Sequence, residues 1–291
     1  MVGNLGSRHS KKVALVIGAG SVKCAAALGV QQVLRREGIG IDLVVGCSAG
    51  SIYAAMIAAG HDVETTLEMS TRLWTRELTS QRDRLALLRV LFGRLFRKDA
   101  AFGMRKDVLV MRRLRETFGA MAIEDAKVPL FITATDLANG EQAILSGGSV
   151  VDAIRASISI PYIFSPHCIG DRLLIDGFMS DPLPVNVAMR EGADVIIAVG
   201  FESPYQRRFN TLGRFSFQLS SIMTNNLLKS RFAFHNLTHH SEVILIVPRF
   251  DKRVGLFETE KIPYVAEVGE RAAQEQVPYL RRLLADAPVE A

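Results

Sequence analysis

The stretch "KKVALVIGAGSVKCAAALGVQQVLRREGIGIDLVVGCSAGSIYAAMIAAG", Lys11 to Gly60, decides the fold. "KKVALVIGAG" reads as a strand buried on both faces, since its apolar run shows no polar alternation, and it ends in a glycine turn. "AAALGVQQVLRREG" follows as a helix closed by Gly38. "DLVVG" is a second short apolar strand, and "AGSIYAAMIAAG" is a helix stopped at Gly60. This β-turn-α-β-turn-α order implies a parallel sheet covered by helices.

Outward from that unit, residues 63–117 read as helical with no convincing strand, a helical insertion or cap. Strand patterning returns at "PLFITATDL", "EQAILS", "RLLID", "DVIIAVGF" and "EVILIVP". The C-terminal "YVAEVGERAAQEQVPYLRRLL" is helical, with Pro278 marking a kink or break. The expectation is an α/β fold, one domain over 11–291 behind a disordered tail at 1–10.

Hydrophobic residues make up 48% of the 291 and charged residues 22%, which excludes a disordered chain. No run approaches the roughly 18 apolar residues of a membrane span. "MVGNLGSRHSKK" lacks the apolar centre of a signal peptide, so a cytoplasmic protein is expected. Cys24, Cys47 and Cys168 are an odd number at no metal-ligand spacing, which points to reduced thiols. The net charge of +5 is local: Gln81 to Asp107 carries eight Lys or Arg against three Asp. No nucleic-acid partner is expected. Residues 82–106 interleave those bases with Leu87, Leu88, Leu91, Phe92, Leu95 and Phe96, a pattern that suits either an anionic membrane interface or an ordinary amphipathic helix. Phe209, Phe215, Phe217, Phe232 and Phe234, with Arg207, Arg208 and Arg214, raise the same question for a second surface, or for an oligomer contact.

Chemistry concentrates at Gly46-Cys47-Ser48-Ala49-Gly50, a Gly-x-Ser-x-Gly pattern with a strand before it and a helix after it. Such a turn lifts the serine hydroxyl at the carboxyl end of the sheet, under the positive end of the new helix. Taken alone, the pattern also fits a plain βα turn. A nucleophile needs a base and an oxyanion site. "GAGSVKC" after the first strand offers backbone amides. It fails the dinucleotide fingerprint, because Lys23 stands where Gly or Ala is wanted, and it fails the phosphate-loop pattern as well. Among the histidines, His235 and His239 share a helical spacing without an acidic partner, and His167 reads as a packing residue. A carboxylate can serve instead: "RLLIDGFMSDPLPV" ends an apolar strand at Asp176, before Gly177. Asp-Gly alone also fits a simple turn.

"GAGSVKC", "GCSAGS", "RASISIPYIFSP" and "IDGFMSDPLPV", in this order, resemble the patatin-like phospholipase family of the bacterial patatin and neuropathy target esterase type. The resemblance implies a three-layer α/β/α fold with a mostly parallel central sheet and a serine lipid acyl hydrolase. It implies a Ser48-Asp176 dyad with no histidine, metal or cofactor, acting on a lipid or acyl-ester substrate. Ser48 matches the nucleophile and Asp176 its base; Gly20 and Ser21 map onto the oxyanion turn, and Lys23 onto its basic position. Two departures stand out. Ala19, Ser21 and Cys24 replace family glycines, so a positive φ at Ser21 or Cys24 would be strained. Phe178 follows Gly177 where a small residue is usual, and narrows the pocket or turns outward. The alternatives are a catalytically weak lipid-binding relative, and an acyltransferase or thioesterase on the same dyad.

Overall fold

The computed structural model describes residues 11–73, 107–161, 163–202, 215, 218–219, 221–230, 241–255 and 258–285. The tail at 1–10 and the basic stretch 82–106 lie outside the described residues, as do His235 and His239. Eight strands form one sheet: β1 (Val13–Ile17), β2 (Leu43–Cys47), β3 (Leu130–Asp136), β4 (Gln142–Leu145), β5 (His167–Ile169), β6 (Arg172–Asp176), β7 (Val195–Val199) and β8 (Glu242–Ile246). Their order is β5-β6-β3-β2-β1-β7-β8, with β4 also paired to β3. From β3 to β8 all neighbours are parallel, whereas β4, β5 and β6 join antiparallel.

The helices are α1 (Ala26–Arg36), α2 (Ala49–Ala58), α3 (Val63–Leu73), α4 (Asp107–Phe118), α5 (Val150–Ser157), α6 (Val185–Arg190), α7 (Ile262–Gln274) and α8 (Val277–Leu284). Residues 221–230 are also helical. Pro278 sits in the first turn of α8, where its missing N–H costs nothing, and the break falls just before it. The strand period of two divides the core. Leu15, Ile17 and Val44 pack with α1, α2, α5 and α7 on one face, while Ala14, Val16, Leu43 and Val45 pack with α6 and Leu228 on the other. The result is the expected three-layer α/β/α sandwich. Of the 63–117 insertion, α3 and α4 are helical as the sequence predicts.

One feature of the register builds the site. Thr133 pairs with both Cys47 and Ile144, and Ala134 pairs with both Ala143 and Asp176. β4 therefore fills one edge of β3 at these residues. Along the other edge, parallel β2 and antiparallel β6 meet head to head. The strand end that carries Ser48 is thereby set against the strand end that carries Asp176, 128 residues later in the chain.

Candidate active site

Ser48 joins β2 to α2 with φ 55° and ψ −133°. Such backbone costs an L residue on the order of 1–3 kcal/mol and persists only where the surroundings enforce it. Here the enforcement is close packing. A Cβ on Gly46 would lie 2.5 Å from the Ser51 Cα, and one on Gly50 would lie 2.5 Å from the Ile17 carbonyl oxygen. Glycine at both places lets strand and helix approach closely enough for the serine to be pinched outward. The Ser51 amide and hydroxyl then donate to the Ser48 carbonyl at 2.9 and 2.6 Å. Ala49 opens α2, and Cys47 is buried with its thiol donating to the Asp181 carbonyl at 3.4 Å. Burial pushes the Cys47 thiol up, so it stays protonated.

The Ser48 hydroxyl donates to Asp176 Oδ2 at 2.7 Å, with the carboxylate wholly buried. Asp176 Oδ1 accepts the Phe178 amide at 3.1 Å, so both carboxylate oxygens are engaged. The backbone of Asp176 is also clamped: its N–H donates to Ser159 at 3.1 Å, and its carbonyl accepts the Thr135 hydroxyl at 3.0 Å. Burial raises the Asp176 pKa to about 7, against the two hydrogen bonds from Ser48 and Phe178 that pull it down. Gly177 is required by space, since a Cβ there would lie 2.5 Å from the Thr133 carbonyl. Phe178 is half-buried, neither fully inside nor fully turned out.

A third group, to which the sequence reading gave no role, ties the two strand ends together. Ser157, the last residue of α5, accepts the Ser48 amide at 2.8 Å and donates to the Thr133 carbonyl at 2.7 Å. Two residues earlier, the buried Arg155 donates to the Ser159 hydroxyl at 2.6 Å and to the Ser165 carbonyl at 3.0 Å. "RASIS" thus holds Ser48 through Ser157 and Asp176 through Ser159. The motif was visible in the sequence, but which serine met which strand was not.

The chain leaving β1 forms a 3₁₀ turn, Ser21–Ala25. The Gly18 amide donates to the Val199 carbonyl and the Ala19 amide to that of Pro182, and Gly20 and Ser21 follow next along the turn. Gly20 is pressed against Phe201, 2.4 Å from where its Cβ would be. The strain expected at Ser21 or Cys24 falls on Ser21, at φ 57°. Cys24 lies inside the 3₁₀ turn, and its thiol donates to the Gly18 carbonyl at 3.3 Å. Lys23 donates to the Glu202 carbonyl at 3.0 Å and lies 5.7 Å from the Phe250 ring centroid. Burial lowers its pKa. His167 pairs with Asp152 at 3.0 Å, between β5 and α5.

Comparison with known proteins agrees with this fold. The patatin-like phospholipase family model matches residues 15–189, more than half of the chain. An uncharacterized NTE family protein of Mycobacterium tuberculosis is 34% identical over 190 residues, 65% of this chain and 49% of that protein. Neuropathy target esterase sws of Drosophila melanogaster is 28% identical over 194 residues, 64% of this chain and 13% of that protein. The chain therefore spans about half the length of the mycobacterial relative and far less of the fly protein. The crystal structure of VipD from Legionella pneumophila superposes with a TM-score of 0.52 at 13% identity, over 93% of this chain and 67% of that one, a likeness of fold. The chain belongs to the patatin-like phospholipase family.

Proposed function

We propose that this chain hydrolyses carboxylic esters of lipids through a Ser48-Asp176 dyad and an acyl-enzyme. The observation that carries the reading is the 2.7 Å bond from the Ser48 hydroxyl to a buried carboxylate. Asp176 takes the hydroxyl proton as Oγ attacks the ester carbonyl carbon. The carbonyl π pair moves to oxygen, where amides of Gly20 and Ser21 receive the negative charge. The tetrahedral adduct collapses, the proton on Asp176 passes to the departing alcohol, and the acyl group stays on Ser48. Water then attacks that ester with Asp176 again as base, which releases the fatty acid and restores the serine.

The apolar void lined by Ile52, Leu73, Val110, Leu114, Ile158 and Phe164, together with Arg113, measures about 10 Å³, room for one water and not for an acyl chain. Ile52 lies one helical turn beyond Ser48 on α2, and Ile158 directly follows Ser157. Phospholipids, lysophospholipids and simple carboxylesters are the proposed substrate classes, and segment 82–106 is a proposed contact with anionic membrane. The cytoplasm is the proposed compartment, where an exposed free thiol such as Cys168 remains reduced.

The test is incubation with a panel of phospholipids, lysophospholipids and short-chain esters, read by mass spectrometry, with fluorophosphonate labelling in parallel. Fatty acid release and a label on Ser48, both lost in Ser48→Ala, are expected. Lipid binding with every ester intact and Ser48 unlabelled would instead identify a non-hydrolytic relative. Preferred transfer to an added alcohol, or a preference for thioesters, would identify an acyltransferase or a thioesterase.

A further inference from the structure

A helix on the surface of a globular protein ordinarily buries its apolar stripe and shows water its polar face. The helical residues 215, 218–219 and 221–230 do the reverse. Ser221, Thr224 and Asn225 are buried at 2%, 7% and 3% exposure, whereas Phe215, Leu219, Ile222 and Met223 stand out at 49%, 46%, 38% and 66%. Positions 215, 219, 222 and 223 follow i, i+4, i+7, i+8 spacing and form one stripe. Leu228 fixes the orientation, because it packs with Leu183 and Val185 in the layer beneath. Single exposed apolar side chains, such as Val108 on α4 or Tyr279 on α8, need no explanation; four on one stripe do.

The surrounding sequence says what covers the stripe. From residue 203 to 241 the chain carries Arg207, Arg208, Arg214, Lys229 and Arg231 and no Asp or Glu. Positive charge brackets the stripe on both sides in sequence. A second copy of this chain, related by a two-fold axis, would set that charge against itself, which disfavours self-association through this face. An anionic lipid surface complements both the apolar stripe and its basic flanks. The placement fits as well: β7 and β8 are parallel, so the chain joining them leaves the sheet at the end that carries Ser48.

We propose that the outward face of this inverted helix, Phe215, Leu219, Ile222 and Met223, docks the protein on anionic bilayers. Its use rests on the lipid hydrolase reading, but its test does not. Wild type and Leu219→Gln/Ile222→Gln/Met223→Gln are sedimented with phosphatidylglycerol-containing vesicles and with pure phosphatidylcholine vesicles, at low and high salt. Wild type is expected to prefer the anionic vesicles and to lose affinity as salt rises, and the triple variant to bind at least ~10-fold more weakly. Unchanged melting temperature and short-chain ester turnover show that the variant is folded. If it does not fold, Ile222→Gln and Met223→Gln are read singly, each with a partial loss.

Equal vesicle binding by wild type and folded variants would overturn the proposal. So would wild-type binding that ignores lipid charge. A wild-type dimer that the variant dissociates, without any change in vesicle binding, would also overturn it and assign the stripe to a subunit contact. Vesicle binding that depends on the stripe, in a protein that cleaves no ester, would leave docking intact and sink only the hydrolase reading.

Discussion

Two turns of the molecule invite comparison: the one after β1 and the one after β2. Both leave adjacent parallel strands, paired Ile17 to Gly46, and both lead into helical backbone. Each places a serine at positive φ, Ser21 at 57° and Ser48 at 55°, and among the described residues no other non-glycine does so. The sign of φ is alike, but the uses differ. At Ser48 the hydroxyl is held against Asp176, so the side chain is the reason for the conformation. At Ser21 the proposed contribution is a backbone amide, which glycine would supply without a Cβ. Strain that serves a side chain has to be kept; strain that serves only an amide can be removed.

The largest effect separates the two turns outright. Ser48→Ala and Asp176→Asn are each expected to lower kcat by ~10³-fold or more, because removing one member of a nucleophile-base pair disables the pair. Ser48→Gly should also relieve the backbone and raise Tm while leaving no turnover. Measured kcat within tenfold of wild type for Ser48→Ala would remove the distinction between the turns.

The pH dependence sharpens the difference further, since the Ser48 hydroxyl bonds a titrating carboxylate. Asp176 must be ionised to accept the proton, and its pKa is raised to about 7 from an ordinary 3.8. Hydrolysis should therefore rise with pH along an acid limb near 7 in kcat/KM. Stability runs the opposite way. The folded state holds this proton more tightly than the unfolded chain, so the contribution is full below the ordinary carboxylate value and is lost as pH rises through about 7. An acid limb below pH 5 would mean that burial does not govern this carboxylate.

A smaller effect is expected from Ser157, which holds the Ser48 amide. Ser157→Ala leaves the Ser48 amide without its partner and misplaces the hydroxyl. A fall in kcat of ~10–100-fold is expected, in line with the cost of a small misplacement of a reacting group. KM should change little, and Ser157→Thr, which keeps the hydroxyl, should recover most of the rate. Equal losses for Ala and Thr would reduce Ser157 to ordinary packing.

What the sequence displayed and what it hid divide along this same boundary. The two βα turns were legible because strand, glycine and helix follow one another within a few residues, and Asp176 because it ends an apolar run before Gly177. Ser157 was not, because its partners lie elsewhere in the chain, Ser48 in the turn after β2 and Thr133 on β3, and only register decides that it reaches both. β5 was missed too: three residues at a sheet edge carry no period. At the helical residues 215, 218–219 and 221–230 the sequence suggested only a second surface or an oligomer contact. An amphipathic pattern does not tell which face turns inward, and here the ordinary expectation fails.

The smallest predicted effect tests the comparison most directly. At Ser21 the positive φ costs a residue with a Cβ about 1–2 kcal/mol, while glycine restores some unfolded-state entropy, so Ser21→Gly should gain only ~0.5–1 kcal/mol. Ser21→Ala keeps the Cβ and removes the hydroxyl; the difference between the Gly and Ala variants isolates the backbone term from anything the hydroxyl contributes. Denaturant titration of both variants measures that difference, and kcat should stay within a few-fold of wild type in each, since the amide remains. If Ser21→Gly is no more stable than Ser21→Ala, the first turn is not relieved by losing its Cβ. If turnover falls sharply in both, the Ser21 side chain takes part in the chemistry, and the two turns are alike in purpose as well as in shape.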